Sequence, residues 1–286
     1  MMTRHDHPAA TYEARIRRVT RYIVDTPDGD LSLDALADVA AMSRFHFHRV
    51  YAAMTGETVA QAVRRLRLHR AGKWLVQGGD PVEVIAARVG YANAQSFNRA
   101  FKAHYGITPL AFRAAGQADR MTFTLRKGDA SMYPVEIRNC APARLAALPH
   151  KGDYHQIARA FTELAAIFSA RGLWPQARGM AAIYYDSPAD TPEPDLRSAA
   201  GILVEQDFAM PEDLQDIPLP DGDHLVLTFK GAYAGLPAAW DHAYGVALPD
   251  SGRMPADSPS FEVYLNDPTD TPPEALLTEI HVPLLG

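Results

Sequence analysis

The sequence predicts two domains: an all-α N-terminal domain with two helix-turn-helix units, then an α+β domain of two β-α-β-β repeats around a pseudo-two-fold axis. Three observations carry this. Apolar residues recur at helical spacing through 11–115 and alternate in short runs from about 132 onward. Each half contains an internal repeat, "FHRVYAAMTGETV" (47–59) with "FNRAFKAHYGITP" (97–109), and Lys-Gly-x-Tyr at Lys151 and again at Lys230. Charge also divides: residues 1–120 hold 17 Lys and Arg against 11 Asp and Glu, and the remainder holds 11 against 23. A basic half joined to an acidic one is expected to meet partners of opposite sign.

In "TYEARIRRVTRYIVD", Ile16, Val19, Tyr22 and Ile23 share one helical face, and Pro27-Asp28-Gly29 ends the run. Ser32 is placed to cap the next helix, "LDALADVA", and Ser43 to cap "RFHFHRVYAAM", which stops near Gly56. A long amphipathic run spans Thr58 to Val76, "QGGDP" breaks it, and short helices fit 82–89 and 94–104. The stretch 116–131 reads as a linker, which gives domains at 8–115 and 132–286. Strands are then expected at 135–139, 143–149, 179–186, 198–208, 223–231, 260–267 and 277–284, with helices at 154–171 and 236–247.

Both copies of the N-terminal repeat follow a short helix and a tight turn, as the second helix of a helix-turn-helix does. Phe47, Val50, Tyr51 and Met54 should face the core in the first copy, leaving Phe45, His48, Arg49 and Ala52 outside. In the second, Phe97, Ala100, Phe101 and His104 should face inward, leaving Gln95, Asn98, Arg99 and Lys102 outside. Arg, Asn and Gln have the donor and acceptor geometry that reads base edges in the major groove. Arg64, Arg65, Arg67, Arg70 and Lys73 on the connecting helix are candidates for phosphates. The bland alternative is a helical domain whose polar faces only meet water.

Residues 11–114, and "FNRAFKAHYGITPLAFR" above all, resemble the DNA-binding domain of AraC/XylS-family transcription regulators. The resemblance implies seven helices and a long linker helix joining the two units. It also implies base-contacting positions at Phe45, His48 and Arg49, and at Gln95, Asn98 and Arg99. Phe45 departs from a polar reader, although an apolar ring suits a thymine methyl. Double-stranded promoter DNA is the expected partner, with RNA polymerase as a second partner of an activator.

The second repeat continues past its first words: "AAIYYDSP" (181–188) aligns with "FEVYLNDP" (261–268). Two such units would pair into walls of one ligand groove. Alternation puts Glu262 and Tyr264 on one face and Phe261, Val263 and Leu265 on the other, and the partner of Glu262 in the first copy is Ala182. One carboxylate among Tyr154, Tyr184, Tyr233, Trp240 and Tyr264 suits a small lipophilic, aromatic cation, through charge pairing and cation–π contact. The alternative puts Glu262 on a solvated strand face and the rings in the core. "KGAYAGLPAAW" and "FEVYLNDP…TEIHVPL" resemble the GyrI-like effector-binding domain, over about 133–286. That resemblance implies that Glu262 is the central ligand residue and Glu279 peripheral, in an arrangement shared with multidrug-responsive activators. Some stand-alone GyrI-like proteins hydrolyse reactive small molecules, so a hydrolase fused to a DNA-binding domain is the alternative function. A protein that sequesters toxic cations, or binds a protein partner, through its acidic domain is a third.

No catalysis, cofactor or metal is expected. A lone cysteine, Cys140, rules out both an internal disulfide and a cysteine-based zinc site on this reading. His46 with His48, and His150 with His155, lack the spacing of a ligand set, and there is no P-loop, G-x-S-x-G or dinucleotide fingerprint. The N-terminus lacks the apolar core of a signal peptide, and no apolar run reaches the length of a membrane span, so a cytoplasmic protein without membrane contact is expected.

Overall fold

The computed structural model describes residues 8–116, 125–126 and 132–286, so most of the expected linker lies outside the described residues. The N-terminal half forms α1 (Pro8–Asp25), α2 (Leu33–Ala40), α3 (Arg44–Thr55), α4 (Val59–Gln77), α5 (Val82–Arg88), α6 (Ala94–Tyr105) and α7 (Pro109–Ala115). Side chains cap their starts: Ser32 for α2, Ser43 for α3, Asn93 for α6 and Thr108 for α7, with a Thr58–Gln61 capping box at α4. The repeated glycines close both reader helices: Gly56 and Gly106 sit at φ 80° and 75°, a left-handed conformation that glycine adopts without strain. The short α7 is absent from the periodicity reading and present in the resemblance.

The two helix-turn-helix units are buried differently. Phe97, Phe101 and Phe112 close the second unit on Leu68, Leu75 and Ile85, a core of its own. Among the described residues, the first unit has no separate core. Tyr12, Ile16, Phe47, Val50 and Tyr51 run continuously into Leu225, Leu227, Leu236, Tyr244, Ile280 and Val282 of the C-terminal half. His104, expected to face inward, is exposed instead. Tyr105 takes the inward place at the end of α6, its ring 4.6 Å from Phe101 and 4.7 Å from Phe112.

The C-terminal half is an eight-stranded antiparallel sheet of β1 (Val135–Cys140), β2 (Ala143–Lys151), β3 (Ala177–Tyr184), β4 (Arg197–Val204), β5 (Gln215–Leu219), β6 (Gly222–Lys230), β7 (Phe261–Tyr264) and β8 (Leu277–Pro283). Their order is β1-β6-β8-β7-β3-β4-β2-β5. The pseudo-two-fold axis falls between β7 and β3, where Glu262 pairs with Ala182. α8 (Ala158–Ala170) packs on one half. On the other lie α9 (Leu236–His242), a π-helical turn (Ala243–Ala247) and α10 (Leu248–Ser251). In both Lys-Gly-x-Tyr copies the glycine has positive φ, 111° at Gly152 and 143° at Gly231, and the tyrosine opens a 3₁₀ turn. β5 was not foreseen. Its two prolines' worth of turn signal, at Pro218 and Pro220, hides a strand that starts as far after β1 as the repeat predicts. The outermost strands exchange halves: β1 pairs with β6, and β5 with β2.

Candidate effector site and DNA-reading faces

Strand parity on β7 turns Phe261 and Val263 to one side of the sheet and Glu262 and Tyr264 to the helix-covered side. Glu262 is only 2% exposed. Its Oε1 accepts from Trp240 Nε1 at 2.7 Å and its Oε2 from the Tyr264 hydroxyl at 2.8 Å. The Tyr184 hydroxyl lies 3.1 Å from that of Tyr264, and the Tyr184 ring stands edge-on to Trp240. Tyr154 packs edge-on against Tyr184, its hydroxyl held by the carbonyls of Asp186 and Arg197. Tyr233 packs edge-on against Tyr264 from the outside. The structure thus brings all six expected effector residues together. It adds Phe161 of α8, whose ring lies 5.6 Å from Tyr264 and which the sequence did not single out.

Burial pushes the Glu262 carboxyl up from its ordinary range, while hydrogen bonds from Trp240, Tyr264 and Tyr184 and the charge of Arg49 pull it back. Burial raises Tyr184 and Tyr264 well above the usual phenol range, so both remain neutral donors.

Arg49 belongs to α3, the first reader helix. Its guanidinium lies 4.8 Å from the centre of the Trp240 ring and 5.7 Å from that of Tyr244. It donates to the carbonyls of Tyr184 at 2.8 Å and Asp186 at 3.0 Å. Beside it, fully buried His46 bonds the Tyr244 hydroxyl and the Ser258 carbonyl, both at 2.9 Å, and Ser43 donates to Asp257 at 2.6 Å. Phe45 is half-buried and His48 is 4% exposed.

This corrects the expected exposure of His48 and Arg49. Both do point away from the core of the helical domain, but the sheet domain covers that face, and helical periodicity carries no information about such a cover. The second reader differs: Gln95, Asn98, Arg99 and Lys102 are all exposed. A cleft of about 680 Å³ between the two units is lined by Arg64, Arg67, Tyr91, Arg99 and Asp190 among others. The phosphate candidates on α4 divide as well. Arg65 is paired with Glu57, Arg67 donates to the Pro27 carbonyl and Arg70 lies over Trp74, while Arg64 and Lys73 are exposed.

Burial holds the buried imidazoles neutral, pushing His46 down from 6.5 to about 4 and His48 to about 3, each helped by the neighbouring Arg49 charge. A histidine whose folded pKa is depressed loses stabilisation as pH falls below its ordinary value toward the folded one. Docking of α3 should therefore weaken between neutral pH and about pH 5. Small-angle scattering at the two pH values checks this, and an unchanged profile would refute it.

Residues 133–285, more than half of the chain, match the GyrI-like small molecule binding domain. The chain belongs to the GyrI-like family. Its N-terminal half carries an AraC-type helix-turn-helix domain, matched over 36–115. Among similar proteins, the bifunctional transcriptional activator and DNA repair enzyme AdaA of Bacillus subtilis is 37% identical over 95 residues, 33% of this chain and 45% of AdaA. The chain thus spans less than half the length of that relative. The DNA gyrase inhibitor of Yersinia enterocolitica is 27% identical over 131 residues, 44% of this chain and 82% of the inhibitor. MarA, the multiple antibiotic resistance protein of Escherichia coli, is 24% identical over 122 residues, 43% of this chain and 93% of MarA. A solved hydrolase from Listeria innocua aligns over 53% of this GyrI-like chain and 91% of its own, with 15% identity and a TM-score of 0.38. No helix among the described residues is long and apolar enough to cross a membrane.

Proposed function

We propose that the chain is a transcription regulator that binds duplex promoter DNA through its two helix-turn-helix units and responds to a lipophilic, aromatic cation bound at Glu262. The observation that carries this is Arg49: the effector site already holds a cation against its Trp240 wall, and a DNA-reading helix supplies it. A planar cation that stacks on Trp240 and pairs with Glu262 would compete for the same ring, and Arg49 would leave with α3. In the docked state α3 is covered and α6 is exposed, so one reader of two reaches DNA. Since both readers must enter successive grooves, displacement of Arg49 raises affinity for a complete site. By linkage, DNA raises the affinity for the cation by the same factor. The working division is a DNA-binding domain at 8–115, a linker at 116–131 and a sensor at 132–286. RNA polymerase is the further partner if the released form activates.

The test is anisotropy of a labelled promoter duplex titrated with protein, with and without tetraphenylphosphonium. Tighter binding with the cation is expected, and the same affinity with and without it would overturn the reading. Arg99→Ala should weaken specific binding by about 1–3 kcal/mol in either state, because its exposed side chain sits on the reader that is free throughout. An unchanged affinity for a footprinted site would remove α6 as a reader. A hydrolytic role is less well supported, since both Glu262 oxygens are engaged by donors and the carboxylate is shut away from water.

A further inference from the structure

We propose that the sheet face opposite Glu262 binds one zinc-class cation through Cys140 Sγ, His224 Nδ1 and His281 Nδ1. The three residues come from adjacent strands β1, β6 and β8, and register puts them on one face. His224 pairs with Arg138, two residues before Cys140, and Val226, two residues after His224, pairs with His281. His281 also pairs with Phe261, which alternation sets against Glu262, so this site and the effector site lie on opposite sides of the sheet.

The ligand atoms all lie within 4.8 Å of one another, and the two Nδ1 atoms face each other at 3.3 Å. Two nitrogens held about 2.0–2.1 Å from one tetrahedral zinc stand roughly 3.3–3.4 Å apart, which is the spacing already present. The surroundings set the nitrogens for this. His281 Nε2 lies 3.2 Å from Glu279 Oε2, and both Glu279 oxygens accept from Arg138 at 2.9 Å. A carboxylate on Nε2 keeps the proton there and leaves the Nδ1 lone pair pointing at the cluster, the arrangement that orients metal-binding histidines. Stacking on Phe261, at 4.8 Å and 11°, fixes the ring. His224 is buried, and besides His281 its ring faces the Pro220 backbone carbonyl.

Cys140 is half-buried, and among the described residues its thiol has one hydrogen-bond contact, 3.7 Å to the Arg138 carbonyl. On binding, the thiol proton goes to solvent and the thiolate takes the metal, with water in the fourth position. One sulfur with two imidazoles selects zinc over the hard cations magnesium and calcium. Spacing rules could not find this set, because its ligands are joined by strand register; the two histidines are 57 residues apart.

The experiment is titration of the metal-stripped full-length protein with cobalt(II), read by absorption, then displacement with zinc. Thiolate-to-metal charge transfer saturating at one cobalt per chain, and bleached by zinc, is expected. Cys140→Ser should abolish the charge-transfer band, and Glu279→Gln, which leaves all three ligands in place, should lower affinity about tenfold or more. Circular dichroism of the metal-free variants shows whether they are folded. Superimposable cobalt spectra for wild type and a folded Cys140→Ser, or no saturable band, would overturn the site.

Discussion

Glu262→Gln is expected to cut the affinity for an aromatic cation roughly 30- to 150-fold, which is about 2–3 kcal/mol. The magnitude follows from burial. At 2% exposure the carboxylate is shielded from water, so an arriving cation meets a charge that solvent does not screen. The amide keeps the shape: its oxygen can still accept from Trp240 Nε1, and the Tyr264 hydroxyl can turn to accept from its nitrogen. Loss of affinity would then report charge rather than collapse of the pocket. The variant should also flatten the dependence of stability on pH. A carboxyl whose folded pKa is raised contributes stability at acid pH, and loses it as pH rises through that folded value. Removing the ionisable group removes this slope. Calorimetric titration with tetraphenylphosphonium and thermal melts at several pH values check the two parts, and equal affinity in a folded variant would sink the charge-pairing account.

Gly245→Leu should raise effector-free affinity for a promoter duplex about tenfold or more, and leave little further response to the cation. Gly245 lies in the π-helical turn after α9, where the backbone passes close to α3. A Cβ there would stand 3.0 Å from Cβ of Ala53 and 3.2 Å from its carbonyl oxygen. A leucine needs more room than that, and overpacking of this kind costs about 1–3 kcal/mol unless the neighbour withdraws. The neighbour here is the first reader helix, so withdrawal exposes it. The substitution touches neither Arg49 nor Glu262, which separates the docking contact from the charge contact. Anisotropy with and without cation measures it; wild-type DNA affinity in a folded variant would count against docking as the restraint.

Much of the architecture could be read because it is written in local chemistry. Gly56 and Gly106 recur since each reader helix must end in a left-handed residue, and Ser32, Ser43 and Thr58 announce helix starts by the donors they satisfy. Glu262 was found among its aromatic partners because strand alternation is strict over four residues. β5 escaped for a local reason too, since prolines within and after it imitate a turn, although the repeat offset from β1 pointed to it.

The sequence by itself determined most of the elements, the two repeats, the faces that most helices and strands turn from their neighbours, and the carboxylate that only one repeat carries, while β5, α7 and the outward turn of His104 escaped it. The tertiary structure alone decided what covers those faces. Periodicity reports the direction a side chain leaves its own helix, and Arg49 leaves α3 in the direction a DNA reader should. Its stacking on Trp240 depends on residues nearly two hundred positions away in the chain. The same holds on the other side of the sheet, where Cys140, His224 and His281 meet only through the pairing of β1, β6 and β8. Packing between distant segments is set by the sum of many weak contacts, and no short stretch of sequence contains that sum.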